Sequence, residues 1–180
     1  MPIRKVLPLF AGFTLLLGTV VLGIPQAASA QPLSDLTCVA AANATVEPGV
    51  TLLPSPQNIS VVLTLGSDLS PTTPCTSLTG NPPYTGAIFD MVGSGNLGCL
   101  LGSAGGTATI TWNNGDTSTA TWSLNLPIFL LPIMSITITG GPLTGATPFG
   151  LGVPTGFSGN CITSPLTNLG GLGIGLLVGL

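Results

Sequence analysis

Five carboxylates are nearly all the acid–base chemistry this chain holds beyond residue 30: Asp35, Glu47, Asp68, Asp90 and Asp116. The smallest catalytic unit open to such a set is a pair of acids in one cleft, as in glycoside hydrolysis. Their spacing brings no two of them together. Asp116 follows Asn113-Asn114-Gly115, Glu47 precedes Pro48-Gly49, and Asp68 follows Gly66-Ser67, so three stand at turns, where acids are ordinary turn chemistry. Asp90 sits inside the apolar stretch AIFDMV, but Ala87, Phe89 and Met91 alternate with it, which points it outward.

The other catalytic constellations fail on residue type. A Ser–His–Asp or Cys–His arrangement needs an imidazole base, and the chain has no His. Schiff-base chemistry needs Lys, and the single Lys5 lies near the N-terminus. Zinc is disfavoured because the cysteines have no CxxC spacing and no His beside them. Calcium at Asp116 with Asn113 and Asn114 would have one acid in a tight loop, a poor donor set. A carbohydrate platform would draw on Tyr84, Trp112 or Trp122. The expectation is a non-enzyme with no catalytic residue, no cofactor and no metal.

The N-terminal segment reads as an export signal. Arg4 and Lys5 precede an apolar run from Val6 to Ile24, then Pro25-Gln26 and the small-residue string ending Ala28-Ser29-Ala30. This is a basic, apolar and small-x-small order that a signal peptidase reads. Cleavage is expected after Ala30, leaving a single domain over residues 31–180, long enough to bury a core. An uncleaved anchor is the rival reading, and Pro25 and the small-residue pattern disfavour it.

Both basic side chains of the chain fall in that segment. Residues 31–180 carry five acids and no base. Phosphate neutralisation and counterion release therefore have no cation to act through, which excludes nucleic acid. Anionic lipid surfaces are disfavoured for the same reason.

Cys38, Cys75, Cys99 and Cys161 form an even set in an exported chain and read as two disulfides. The sequence leaves all three connectivities open; the pairing taken as the expectation is Cys38–Cys75 and Cys99–Cys161, each closure stabilising by roughly 2–4 kcal/mol. Gly and Pro supply about a quarter of the residues after Ala30, a level at which disorder is considered. The segments between them are apolar, β-branched and alternating, which disordered chains are not.

Ile59, Val61, Leu63 and Leu65 recur every second residue, as do Met134, Ile136 and Ile138. Period two over short runs broken by Pro and Gly predicts half-buried strands. The fold expected is all-β, an antiparallel β-sandwich of immunoglobulin-like or related Greek-key type with two disulfides.

The stretch TATITWNNGDTSTATWSLNL, residues 107–126, predicts a hairpin. A two-residue turn at Asn114-Gly115 would mix Thr with apolar residues on each face. A three-residue loop, Asn113-Asn114-Gly115 with Gly115 left-handed, pairs Trp112 with Asp116 and sorts the faces. Ala108, Ile110, Trp112, Asp116, Ser118, Ala120, Trp122 and Leu124 then share one face. Thr107, Thr109, Thr111, Thr117, Thr119, Thr121 and Ser123 share the other. A one-residue slip would flip a strand's side chains, so this register is the expected one, with both tryptophans in the core.

Two apolar stretches remain. Residues 127–132, PIFLLP, are bounded by prolines and either cover the core or form an exposed patch. The tail LTNLGGLGIGLLVGL, residues 166–180, is expected to be a final core strand with Ile174, Leu176 and Val178 on its buried face. Self-association through the Phe129 region or this tail is the partner expectation.

The order of features resembles a group of small exported actinobacterial proteins of unknown function. The features are Cys38, Pro48-Gly49-Val50-Thr51, Cys75, Cys99, the stretch from Thr109 to Thr119 with its Trp-Asn-Asn-Gly hairpin, Gly141, Gly145 and Cys161. The resemblance implies an exported β-sandwich and supplies no catalytic residues. The function expected is therefore an exported, non-catalytic surface or extracellular module that serves structure or binding. The alternatives are a self-assembling or membrane-associated β protein and, behind it, an acid-only hydrolase.

Overall fold

The computed structural model describes residues 36–77, 84–126 and 133–178, all within the unit Pro32–Leu180. The expected cleavage point at Ala30, Asp35 and the stretch around Phe129 lie outside the described residues.

Among the described residues the chain forms strands only: β1 (Leu36–Val50), β2 (Ser55–Gly66), β3 (Thr76–Ser77), β4 (Gly86–Leu97), β5 (Gly102–Trp112), β6 (Thr117–Leu126), β7 (Ile133–Gly140), β8 (Thr147–Ser158) and β9 (Leu166–Val178). They make one antiparallel sheet in the order β7-β6-β5-β4-β2-β1-β9-β8, with β3 paired to β1. The all-β antiparallel class is thus as expected. The strands form a single hydrogen-bonded sheet in which consecutive long strands pair, except β7 with β8. β9 pairs with β8 and also returns beside β1, the pairing of long strands most distant in sequence.

The sheet is rolled. Its two ends, β7 and β8, lie against each other. One cavity is lined by residues of both ends and of the middle of the order, among them Ile136 of β7, Phe149 of β8 and Phe89 of β4. Rolling gives every strand an inner face and leaves few unpaired edges, which open sheets must otherwise protect.

Period two sets what fills the interior. Ile59 and Leu65 are buried, with Val61 and Leu63 packed against the core. Ala87, Phe89 and Met91 point in, while Asp90 between them is exposed. Ile136 and Ile138 point in from β7, alternating with Ser135, Thr137 and Thr139.

The hairpin of β5 and β6 closes through a three-residue loop. Trp112 N–H donates to the Asp116 carbonyl at 2.9 Å, Gly115 N–H to the Trp112 carbonyl at 2.8 Å, and Gly115 has φ 89°. Thr111 faces Thr117 and Ile110 faces Ser118. Trp112 and Trp122 are both buried, and the Thr row from Thr107 to Thr121 is exposed. Trp112 Nε1 donates to Ser118 Oγ at 2.9 Å, and that hydroxyl donates to the Pro142 carbonyl at 2.7 Å. A buried Ser and an indole N–H are thereby both satisfied.

Two disulfides join Cys38 to Cys75 and Cys99 to Cys161, the pairing expected. The first ties β1 to the segment after β2. The second ties the β4–β5 turn to the β8–β9 turn.

The tail strand departs from expectation. β9 is a strand, but Ile174 is 55 % exposed and Leu176 37 %. The side chain of Val178 lies outside the described residues. The inner positions belong to Gly171, Gly173, Gly175 and Leu177. The neighbour decides this: Cys38, turned inward for its disulfide, faces Gly175, and buried Leu36 faces Leu177. A Cβ at Gly175 would stand 3.2 Å from Leu65, so the larger side chains of this alternation go outside.

Candidate functional site

Two acids in one cleft are the only catalytic unit the residue types allow. Glu47, Asp68, Asp90 and Asp116 are each exposed, on β1, after β2, on β4 and at the hairpin tip. A polar groove of about 350 Å³ is lined by Glu47, Gln57, Asn58, Ser94 and Asn96. It holds one carboxylate. Its buried amide, Gln57, is committed to Gly49, accepting from N–H at 2.9 Å and donating to the carbonyl at 3.1 Å. Neither this groove nor the apolar cavity lined by Phe89 and Ile136 brings two of the described acids together.

The hairpin tip is a closed polar unit. Asn113 Oδ1 accepts from Thr85 N–H at 3.0 Å, and Asn114 Nδ2 donates to Asp116 Oδ2 at 2.8 Å. Tyr84 stacks on Trp112 with ring centroids 4.5 Å apart, and its hydroxyl donates to Asp116 Oδ2 at 3.3 Å. Tyr84, Trp112 and Trp122 are all buried, so none offers a sugar an open ring.

Burial, and then the neighbouring Asp116 carboxylate, push the Tyr84 phenol above its ordinary value. Ionisation then favours the unfolded chain. Stability is fully present below about pH 10, where the unfolded phenol is neutral, and is lost as pH rises through the raised folded value. Tyr84 is the sole Tyr, and the chain after Lys5 has no Lys. The cysteines are all in disulfides. We therefore expect denaturant midpoints to fall above pH 10 in the wild type and to stay level in Tyr84→Phe. An equal alkaline slope in both proteins would refute the assignment.

The outer surface divides into two unlike halves. On β5, β6 and β7 it is a grid of Thr and Ser. Thr119 and Thr139 hydroxyls lie 3.3 Å apart, and those of Ser123 and Ser135 2.8 Å apart. On β8, β9 and β1 it is apolar. Phe149, Val153 and Phe157 of β8 face Leu176, Leu172 and Leu169 of β9 across the ladder, and Ile174 faces Val39 of β1. All eight are exposed, from 37 % for Leu169 to 70 % for Val153. Val39, Phe149, Val153, Leu172, Ile174 and Leu176 share the outer face, while Phe157 and Leu169, past the irregularity between Pro154 and Gly156, have the parity of the inner positions.

The six on the outer face expose on the order of 500 Å² of apolar side chain, toward the upper end of the roughly 300–600 Å² largest patch of a monomer, which is often functional. β8 and β9 carry no charged residue, and Glu47 is the only one on β1. On β9 the face arises because Gly171, Gly173 and Gly175 take inner positions while Leu172, Ile174 and Leu176 turn outward.

Sequence reasoning named the tail as an interface candidate but missed β8 altogether. The signal available was the alternation of Phe149, Leu151 and Val153 with Gly150 and Gly152. No family model, curated protein or solved structure matches the chain.

Proposed function

We propose that the chain is an exported, non-catalytic β protein that works by association with further copies of itself through the apolar outer face of β8, β9 and β1. One observation carries the reading: a contiguous, uncharged apolar patch on the order of 500 Å², large enough to form the apolar core of an interface whose rim is polar. Export is supported by the basic–apolar–small order ending at Ala30, and by the resemblance to exported actinobacterial proteins. Two disulfides fit an oxidising, extracellular setting. The scattered, exposed acids support a non-catalytic role.

A bilayer-spanning barrel is disfavoured, because spanning barrels carry an apolar band on every strand. Here β5, β6 and β7 show the solvent Thr and Ser. A second reading, a binding module of the cell surface, draws on that Thr–Ser grid.

Light scattering after chromatography in detergent-free buffer tests the proposal on the protein recovered after export. The wild type is expected as a defined oligomer. Ile174→Asp, which would place a charge in the middle of the contact, is expected to weaken association at least about tenfold, a loss of 1.4 kcal/mol or more. A wild-type monomer at every concentration would end the association reading and turn attention to the Thr–Ser face.

A further inference from the structure

Every neighbouring pair of long strands in the roll is joined by a ladder except β7 and β8. Among the described residues, these two are linked at their turn, by Ile138 N–H to the Ala146 carbonyl at 3.0 Å and Gly145 N–H to the Ile138 carbonyl at 2.9 Å. Beyond that turn the roll has a seam.

An apolar cavity of about 140 Å³ lies at the seam. Its deep wall is Phe89 and Leu65, which are 0 % and 2 % exposed, and its rim includes Phe149 and Ile174, which are 44 % and 55 % exposed. The cavity therefore lies between the core and the inner side of the β8–β9 wall that carries the apolar outer face. No charged or hydrogen-bonding side chain lines it. The space comes from the sequence: Ala40, Ala42 and the inward glycines of β9 leave unfilled what larger side chains would occupy. An apolar cavity of similar size, about 150 Å³, stays dry and takes a benzene-sized guest.

We propose that this cavity binds the end of the alkyl chain of a neutral amphiphile, admitted through the β7–β8 seam. The volume suits a chain end of about five or six carbons, near the benzene-sized guest of comparable cavities. The head group remains outside. It is neutral because the chain beyond Lys5 offers no cation to an anionic head, and neither β8 nor β9 offers a charge of either sign. The rim is shared with the proposed association face, but the depth is not, and a readout inside the cavity reports binding in either association state.

Met134 lines the cavity, while Met91, 1 % exposed, is buried in the core and does not line it. The purified protein, labelled at its methionine methyl groups with carbon-13, is titrated with n-octyl glucoside below its micelle concentration. The Met134 methyl resonance is expected to shift and saturate while Met91 stays in place. Glucose alone is expected to move neither. Ala42→Leu, which fills the cavity, is expected to abolish the Met134 shift.

If Ala42→Leu does not fold, cross-relaxation between the octyl chain and the Met134 methyl in the wild type decides the question, its presence supporting the site and its absence refuting it. A Met134 resonance that stays still up to the micelle concentration overturns the proposal. So does a shift of both methyls that begins only when micelles form, and so does an unchanged shift in folded Ala42→Leu.

Discussion

Reducing both disulfides is expected to unfold the protein at room temperature. Cys38–Cys75 spans a sequence separation of 37 residues and Cys99–Cys161 one of 62. In the chain-entropy account each closure of that length removes about 4 kcal/mol of denatured-state freedom. Their sum is comparable with the whole stability of a domain this size, about 5–15 kcal/mol. The longer loop favours the second bridge by only a few tenths of a kcal/mol.

Packing reverses that order. Cys38 and Cys75 are 2 % and 5 % exposed, whereas Cys99 and Cys161 are half-buried. Serine hydroxyls in place of the first pair are buried as well as unbridged, at a further cost of about 1–3 kcal/mol. The Cys38→Ser/Cys75→Ser chain is thus expected to be the less stable of the two double variants. Accessibility predicts the order of reduction: Cys99–Cys161 opens first under mild reductant. Denaturant midpoints for both variants, with alkylation and mass measurement along a reductant series, check the two orders. A fully reduced, alkylated chain that keeps the oxidised midpoint would remove the disulfides from the account of stability.

The hairpin of β5 and β6 was legible in the sequence because one choice of loop length sorted every Thr to one side and every apolar residue to the other. A local signal of that kind fixes register, and with it the burial of both tryptophans. β9 shows the limit of the same argument. Gly171, Gly173 and Gly175 alternate with Leu172, Ile174 and Leu176 as cleanly as any strand here, so period two separates the faces. It does not say which one is inside. That was decided by Cys38 on β1, more than a hundred residues away in sequence, whose inward direction fixes Gly175 inward too. Hydrophobicity pointed the opposite way, since leucines are ordinarily the buried set.

The closure of the sheet was illegible for a related reason. Whether strands of this length stack as two sheets or roll as one depends on β9 reaching β1, a pairing without local sequence signature. The candidate site suffered from both limits. Ile174 and Leu176 were marked as important, but as core. Phe149, Val153 and Phe157 went unmarked because Gly150, Gly152, Pro154 and Gly156 gave β8 the composition of a loop.

Trp122→Ala is expected to cost about 3–5 kcal/mol, the range for deleting a large buried aromatic. Trp122 is 4 % exposed and stands opposite Gly106, which in turn faces Gly93. The indole occupies the space those glycines leave: a Cβ at Gly93 would come within 2.6 Å of its Cζ2. Its Nε1–H reaches the carbonyls of Val92 and Thr107, each at 3.2 Å, so the ring and its one polar atom are both accommodated by the backbone of β4 and β5.

Two variants separate these contributions. Trp122→Phe keeps an aromatic body and loses the donor, which costs roughly 0.5–1.5 kcal/mol for the hydrogen bond plus the lost ring area. Gly93→Ala keeps the Trp122 side chain but puts a methyl against both the Gly105 carbonyl and the indole, so it strains the β4–β5 pairing as well. It is expected to displace the ring and to expose it, which shifts its fluorescence to the red. At about 2–4 °C of melting temperature per kcal/mol for a domain this size, Trp122→Ala should lower the transition by roughly 10 °C. A Trp122→Ala chain that melts within about 2 °C of the wild type would mean that the glycine-lined recess is not filled by this indole in solution. The inward assignment of the hairpin's apolar face would then have to be redrawn from β6 outward.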